Sequence, residues 1–158
     1  MKGFVTSEMG HVVNILAPVD ITGGKTAQAF AVKNYQHVSI IIQIGVSAAA
    51  FTKILVNQCT AANGTGAAAI PFFIYTQETA GAGNDVLSAR TAVTSAGYTP
   101  AATDGIFYVI EIDASELSDG FPYIQLQLTN GANSVIASAV AVLSGARYAE
   151  TQSPTVTT

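Results

Sequence analysis

The chain has 158 residues; only 10% are charged and 49% are hydrophobic, with a formal net charge of −4 at pH 7. An ordinary soluble domain is about 25% charged, so Thr, Ser, Asn, Gln, Gly and Ala must clothe much of this surface. A surface so thinly charged is poorly guarded against association, which favours an assembling structural protein over a solitary enzyme.

The length fits one domain with a proper core. Six cations, Lys2, Lys25, Lys33, Lys53, Arg90 and Arg147, are scattered along an acidic chain. Phosphate binding needs them clustered, which argues against nucleic acid as a partner. Cys59 is the single cysteine, so neither an intrachain disulfide nor a cysteine-based metal site is available. The longest apolar stretches, 67–75 and the Ser-interrupted 135–143, fall short of the ~18 residues a membrane helix takes. Glu8 and His11 break up any leader-like apolar run. The expectation is a protein made and assembled in the cytosol, with no membrane partner.

Residues 1–10 lack a period and read as an N-terminal arm. Weaker strands are expected at 11–16 and 27–33, on either side of a Gly23-Gly24 turn. Residues 36–45 form a stronger one, with Val38, Ile40, Ile42 and Ile44 on one face. Ile41, flanked by Ser39 and Gln43, takes the other face, so this strand is expected to be covered on both sides. The alanine-rich 46–50 reads as a turn or bulged connection. Strands at 51–59, 72–77 and 86–94 follow, separated by glycine turns at 63–66 and 81–84. Residues 106–113 alternate in part, with Tyr108, Ile110 and Ile112 opposite Phe107, Val109, Glu111 and Asp113. Asp113 then caps one helical turn over 114–118, with Glu116 at its third position as in a capping box.

Asp119-Gly120 turns into the clearest strand, 123–129, where Ile124, Leu126 and Leu128 alternate with Gln125, Gln127 and Thr129. After Asn130-Gly131, residues 135–143 place Ile136, Val140 and Val142 on one face and mostly alanine on the other. That small face suits close sheet packing or a subunit contact. Residues 150–158 are a polar Ser/Thr/Pro tail without packing logic of its own. The sum is an all-β antiparallel two-sheet sandwich, a jelly roll or Greek key of about eight or nine strands with little helix. Its organisation is an arm at 1–10, one sandwich domain over 11–149 and a tail at 150–158.

No stretch carries a chemical motif in full. Thr22-Gly-Gly-Lys-Thr26 ends like a phosphate-binding loop, but Val19 stands where that motif needs glycine and no helix pattern follows. It reads as a hairpin turn. His11 and His37 lack the further ligands of a zinc site and fit strand edges or an interface. Cys59 with His37 as base would make a nucleophile, yet a lone strand cysteine usually behaves as a small buried hydrophobe. Glu111, Asp113, Glu116 and Asp119 concentrate carboxylates that could hold calcium or supply an acid–base pair for sugar hydrolysis. Their spacing fits no calcium loop, and capping and turning account for them better. The aromatics read as core and cross-strand pairs, with a terminal ring such as Tyr148 as a partner anchor. No catalytic, cofactor or metal residue is expected.

Two stretches carry a family resemblance. Residues 111–126, Glu-Ile-Asp-Ala-Ser-Glu-Leu-Ser-Asp-Gly-Phe-Pro-Tyr-Ile-Gln-Leu, are similar to an element that precedes a strand, an acidic stretch followed by Leu–x–Asp–Gly–aromatic. Residues 142–148, Val-Leu-Ser-Gly-Ala-Arg-Tyr, resemble a last strand with the Arg-Tyr that follows it. Both resemble the head decoration, or cement, proteins of tailed bacteriophages; the earlier half matches only in character. The resemblance implies a jelly-roll or β-sandwich subunit, a homotrimer on the outside of the expanded capsid, with no catalytic residues. Its expected partners are itself and the major capsid protein, on a virion assembled in the bacterial cytoplasm. The arm residues Lys2, Phe4 and Val5 would add a strand to the capsid protein, and Arg147 and Tyr148 would contact a neighbour. The rival is a carbohydrate-binding or adhesin-like module of a virion or fibre, favoured by solvent-exposed Tyr rings beside the carboxylates of 111–119.

Overall fold

The computed structural model describes residues 3, 5–78, 85–101, 104–147 and 155–156. Within them β1 (Gly10–Asp20) leads into the short β2 (Lys25–Thr26) and β3 (Phe30–Ala31). Next come β4 (His37–Ser47), β5 (Lys53–Cys59), β6 (Ala68–Ala69), β7 (Phe72–Glu78) and β8 (Thr91–Val93). The last three are β9 (Ile106–Asp113), β10 (Tyr123–Thr129) and β11 (Val135–Ser144), with a 3-10 turn, Ala114–Glu116, after β9. The larger sheet has the order β1-β11-β4-β9-β7-β8, and the smaller β2-β10-β5-β6, with β3 also paired to β10.

The connectivity decides between the two expected topologies. The first half of the chain pairs antiparallel with the second half in reverse: β1 with β11, β2 and β3 with β10, β4 with β9, β5 with β6. A two-stranded ribbon folded over on itself in this way is a jelly roll. The β7–β8 hairpin widens the larger sheet beyond β9.

Alternation fills the space between the sheets. Val38, Ile40, Ile42 and Ile44 of β4, Ile106, Tyr108, Ile110 and Ile112 of β9, and Ile124, Leu126 and Leu128 of β10 are all buried. Each such aliphatic side chain contributes about 1.5–3 kcal/mol on burial. On β11 the alanine face points inward: Ala137, Ala139 and Ala141 pair with Ile44, Ile42 and Ile40 of β4. Small beside large is how a close-packed layer avoids both voids and strain. Ile136, Val140 and Val142 are therefore left on the outside.

Two ties hold the ends of the ribbon. Asp20 accepts from the Thr22 amide and hydroxyl at 2.9 and 2.8 Å and from the Ser134 hydroxyl at 2.6 Å, joining the end of β1 to the start of β11. The Ser134 hydroxyl foremost, then Thr22, hold its carboxyl down at about 2. Gly97, at φ +85°, lets the β8–β9 connection bridge to the smaller sheet, where a Cβ would lie 2.7 Å from the Ile54 carbonyl oxygen. Only glycine fits there.

Three expectations change. The arm closes into a helical turn, α1 (Thr6–Met9), because the Glu8 and Met9 amides both donate to the Val5 carbonyl at 3.0 and 2.9 Å. The strand expected over 86–94 is ordered as a ladder only at β8, with Val86 and Leu87 exposed. Thr155, within the expected tail, is buried, and its carbonyl accepts from the Ala31 amide at 2.9 Å.

Replacing Ala141 by Leu overpacks the inter-sheet layer and is expected to cost about 1–3 kcal/mol. Val140→Leu, one residue along but facing out, should stay within about 0.5 kcal/mol of wild type. Urea midpoints of the two variants read the difference, and equal midpoints would contradict the assignment of faces.

Candidate functional site

The outer faces of the two sheets differ in kind. That of the smaller sheet is polar: the Asn57 carboxamide donates to Gln127 at 3.1 Å, and the loop after β5 lays Gly64 against the Gln125 carboxamide. Cys59 lies on this side, fully buried, and burial pushes its thiol pKa up. It behaves as the expected buried hydrophobe.

The outer face of the larger sheet carries an apolar row between polar flanks, with Ser39 and Glu111 on one side of it and Gln43 and Ser138 on the other. Register aligns Val140, Ile41, Val109 and Tyr75 in one row across β11, β4, β9 and β7. Val142 pairs with Val12, which is 52% exposed, and Ile136 on the same face is 39% exposed. Phe73 lies beside this row with the Arg90 guanidinium 3.5 Å above its ring centre. Helical turn α1 borders one corner, where Gly10 lets Val142 approach; a Cβ there would lie 2.8 Å from Val142 Cγ1. No third layer is present among the described residues. The sequence pattern of β4 called for cover on both sides; among the described residues no element packs on the second side, where Ile41 is half-buried.

A charged clamp closes one end of this face. The His37 ring nitrogens lie 2.7 Å from Asp113 Oδ1 and 2.6 Å from Glu111 Oε2, and the Ser39 hydroxyl donates to the same Glu111 oxygen at 2.6 Å. A neutral imidazole has one N–H, so one of these contacts would set a lone pair against a carboxylate; only the imidazolium donates to both. Burial pushes the His37 pKa down, but the hydrogen bonds and charges of Asp113 and Glu111 outweigh it and leave the pKa raised. Two of the four clustered carboxylates are thus spent on one cation.

The remaining candidates separate. Glu116 accepts from the Asp113 amide at 3.0 Å within the expected capping box. Asp119 and Arg147 line a groove of about 850 Å³ beyond the end of β9. Among the described residues no His, Cys, Asp and Glu side chains converge as a metal set. With both nitrogens engaged by carboxylates, His37 has no lone pair to serve Cys59 as a base. His11 stacks on Tyr35 at 5.6 Å, and its Nε2 lies 3.3 Å from Thr155 Oγ1.

Of the residues expected to bind partners, Lys2, Phe4 and Tyr148 lie outside the described residues. Val5 is half-buried at the base of α1; Arg147 is exposed, its amide donating to the Asn34 carbonyl at 3.0 Å. Both lie off the same end of the larger sheet, because Gly10 pairs with Ser144. Of the rings near the carboxylates, which would favour the carbohydrate-binding reading if solvent-exposed, Tyr35 is 4% exposed, while Tyr123 and the groove's Phe121 are half-buried. Sequence reasoning missed Tyr75 and Val109 as members of one outer row; the second apolar face of β4 was the available signal.

The His37 pKa is raised on folding, so the clamp's stabilisation is complete below pH 6.5 and is lost as pH rises through the folded-state pKa. Thermal melts should show the largest advantage of wild type over His37→Gln near pH 6, shrinking at higher pH. An NMR titration of His37 with a midpoint at or below 6.5 would contradict the clamp.

No protein-family model matches the chain, and no curated protein matches it. Among solved structures it is similar to the crystal structure of SPBc2 prophage-derived protein YomS, at 14% identity, covering 84% of this chain and 92% of that one. The TM-score is 0.45, too low to carry the argument beyond the strand order described above.

Proposed function

We propose that this chain is a structural protein of a tailed-bacteriophage virion: a head decoration protein that binds the outer surface of the expanded capsid as a homotrimer and braces it. The observation that carries this reading is the apolar row Val140–Ile41–Val109–Tyr75, open on a subunit with few charges to keep it apart from others. The kind of assembly comes from the resemblance over 111–126 and 142–148. Residues 111–126 form the end of β9, the rim after it and the first half of β10, and 142–144 form the end of β11. No catalytic step, cofactor, nucleic acid or membrane enters the proposal.

A stable contact takes about 800 Å² from each partner. Four strands at ~4.8 Å spacing give the row a width of only ~14 Å, so the contact must extend to Val12, Val142 and the Arg90-capped Phe73. In a closed trimer every contact is heterologous, and this face of one subunit meets a different surface of the next. Three subunits then present three capsid contacts at once, and the second and third engagements are effectively intramolecular. Laying residues 2–8 along a capsid strand would require turn α1 to open.

Light scattering should give the full-length protein the mass of three chains, and the trimer should saturate expanded capsids of the same virus. The double variant Ile41→Lys, Val140→Lys should be monomeric and lose capsid binding, with an unchanged circular dichroism spectrum, since lysine stems lie along apolar surface with their charge in water. A wild-type chain that stays monomeric and ignores capsids overturns the reading. Deletion of residues 1–9 without loss of capsid affinity would remove the arm from it.

A further inference from the structure

We infer that the groove beyond the His37 end of the larger sheet is a binding site for a neutral, hydroxyl-rich ligand, a neutral oligosaccharide. The groove holds about 850 Å³, within the ~300–1,000 Å³ of small-molecule sites. Its walls come from the β3–β4 connection, the rim 113–122, Thr60 and Arg147.

The rim is built to hold one shape. Buried Gln58, on β5, donates to Ser118 Oγ at 3.0 Å and accepts from the Ser118 amide at 2.8 Å. The Phe121 amide closes back on Ser118 at 3.1 Å, Gly120 turns the chain at φ +85°, and the Val32 amide fastens Pro122 at 3.0 Å. Walls fixed before a ligand arrives lower the ordering cost of binding.

Three observations select the ligand class. First, the charges at and beside the groove balance: Lys33, Arg147 and the His37 imidazolium stand against Asp113, Asp119 and Glu111, so no strong net field draws a polyanion or a polycation. Second, main-chain addition of an extended peptide needs an open ladder. Here the amides of Val32, Tyr35, Gln36, Ser118, Phe121 and Arg147 already donate within the fold. Third, the lining mixes carboxylates, which accept from ligand hydroxyls, with cations and hydroxyls that donate to them. Phe121, half-buried, offers an aromatic face for the C–H side of a ring. A polyol uses all of these at once, whereas an apolar ligand would strand the carboxylates. The site is independent of the assembly reading, and either can fail alone.

The experiment is calorimetric titration of the full-length protein with maltotetraose, cellotetraose and tetra-N-acetylchitotetraose, and with a sulfated tetrasaccharide and a Ser/Thr-rich nonapeptide for contrast. Saturable binding of at least one neutral tetrasaccharide is expected, weakened about tenfold or more by Phe121→Ala and by Asp119→Asn. Asp119 is exposed and makes no rim contact described above, so Asp119→Asn should fold as wild type by its melting curve, which keeps the test readable if Phe121→Ala unfolds. Absence of saturable binding by all three neutral tetrasaccharides overturns the inference. So does binding left unchanged in Asp119→Asn and a folded Phe121→Ala, or tighter binding of the sulfated sugar or the peptide.

Discussion

In the middle of the larger sheet, β4 hydrogen-bonds to β11 on one side and to β9 on the other, and all three strands carry apolar side chains on both faces. The inner set meets the smaller sheet and makes the core. The outer set cannot turn inward as well, because a strand's side chains alternate and a one-residue slip would exchange the sets without removing either. The core therefore fixes which residues are left outside. Fully satisfying β4 leaves Ile41 in an outer row of valine and tyrosine, half-buried and covered by no other element among the described residues.

Electrostatics on that face is local. The His37 imidazolium sits between two carboxylates, and Arg90 lies flat on Phe73. The charges near the row are held in hydrogen bonds or stacked on a ring, and the row itself carries none. The contrast with the smaller sheet is chemical: its glutamines and Asn57 bond to each other, under a loop that only a glycine lets close. The two outer faces thus differ in composition: one carries the apolar row, and the other is held together by amide side chains.

Much of the fold was legible from period-two patterning. Strands β4, β9, β10 and β11 stand where the alternation places them, because each buries a β-branched or leucine set against the other sheet. What was not legible depends on distant partners. Which face of β11 turns in is decided by Ala137, Ala139 and Ala141 fitting beside the isoleucines of β4. Local sequence shows only that one face is small. The strand expected over 27–33 pairs only at β3, and the two-residue strands β2 and β6 have no period to read; all three form where β10 and β5 offer an edge. The clamp joins His37 to residues more than seventy positions away, and only the β4–β9 register brings them together. Thr155 escaped for the same reason: a polar tail residue is buried through bonds to Ala31 and His11, not through its own hydrophobicity.

The folded-over ribbon also sets a timetable. β1 and β11 are adjacent in the sheet but near opposite ends of the domain. At ribosomal rates of ~5–20 residues per second, roughly ten seconds pass between the emergence of one and the other. Until β9 emerges within that interval, β4, with three consecutive isoleucines and no Asp, Glu, Lys or Arg, has neither of its neighbours, and it lacks β11 to the end. Such a segment is what transient sheltering in the cell protects from self-pairing. A chain interrupted before Val135 has no β11 to lie between β1 and β4, and so presents neither a closed core nor the outer row. Translation through the last strand is then the entry condition for any assembly built from this subunit, and unfinished copies are rejected by geometry alone.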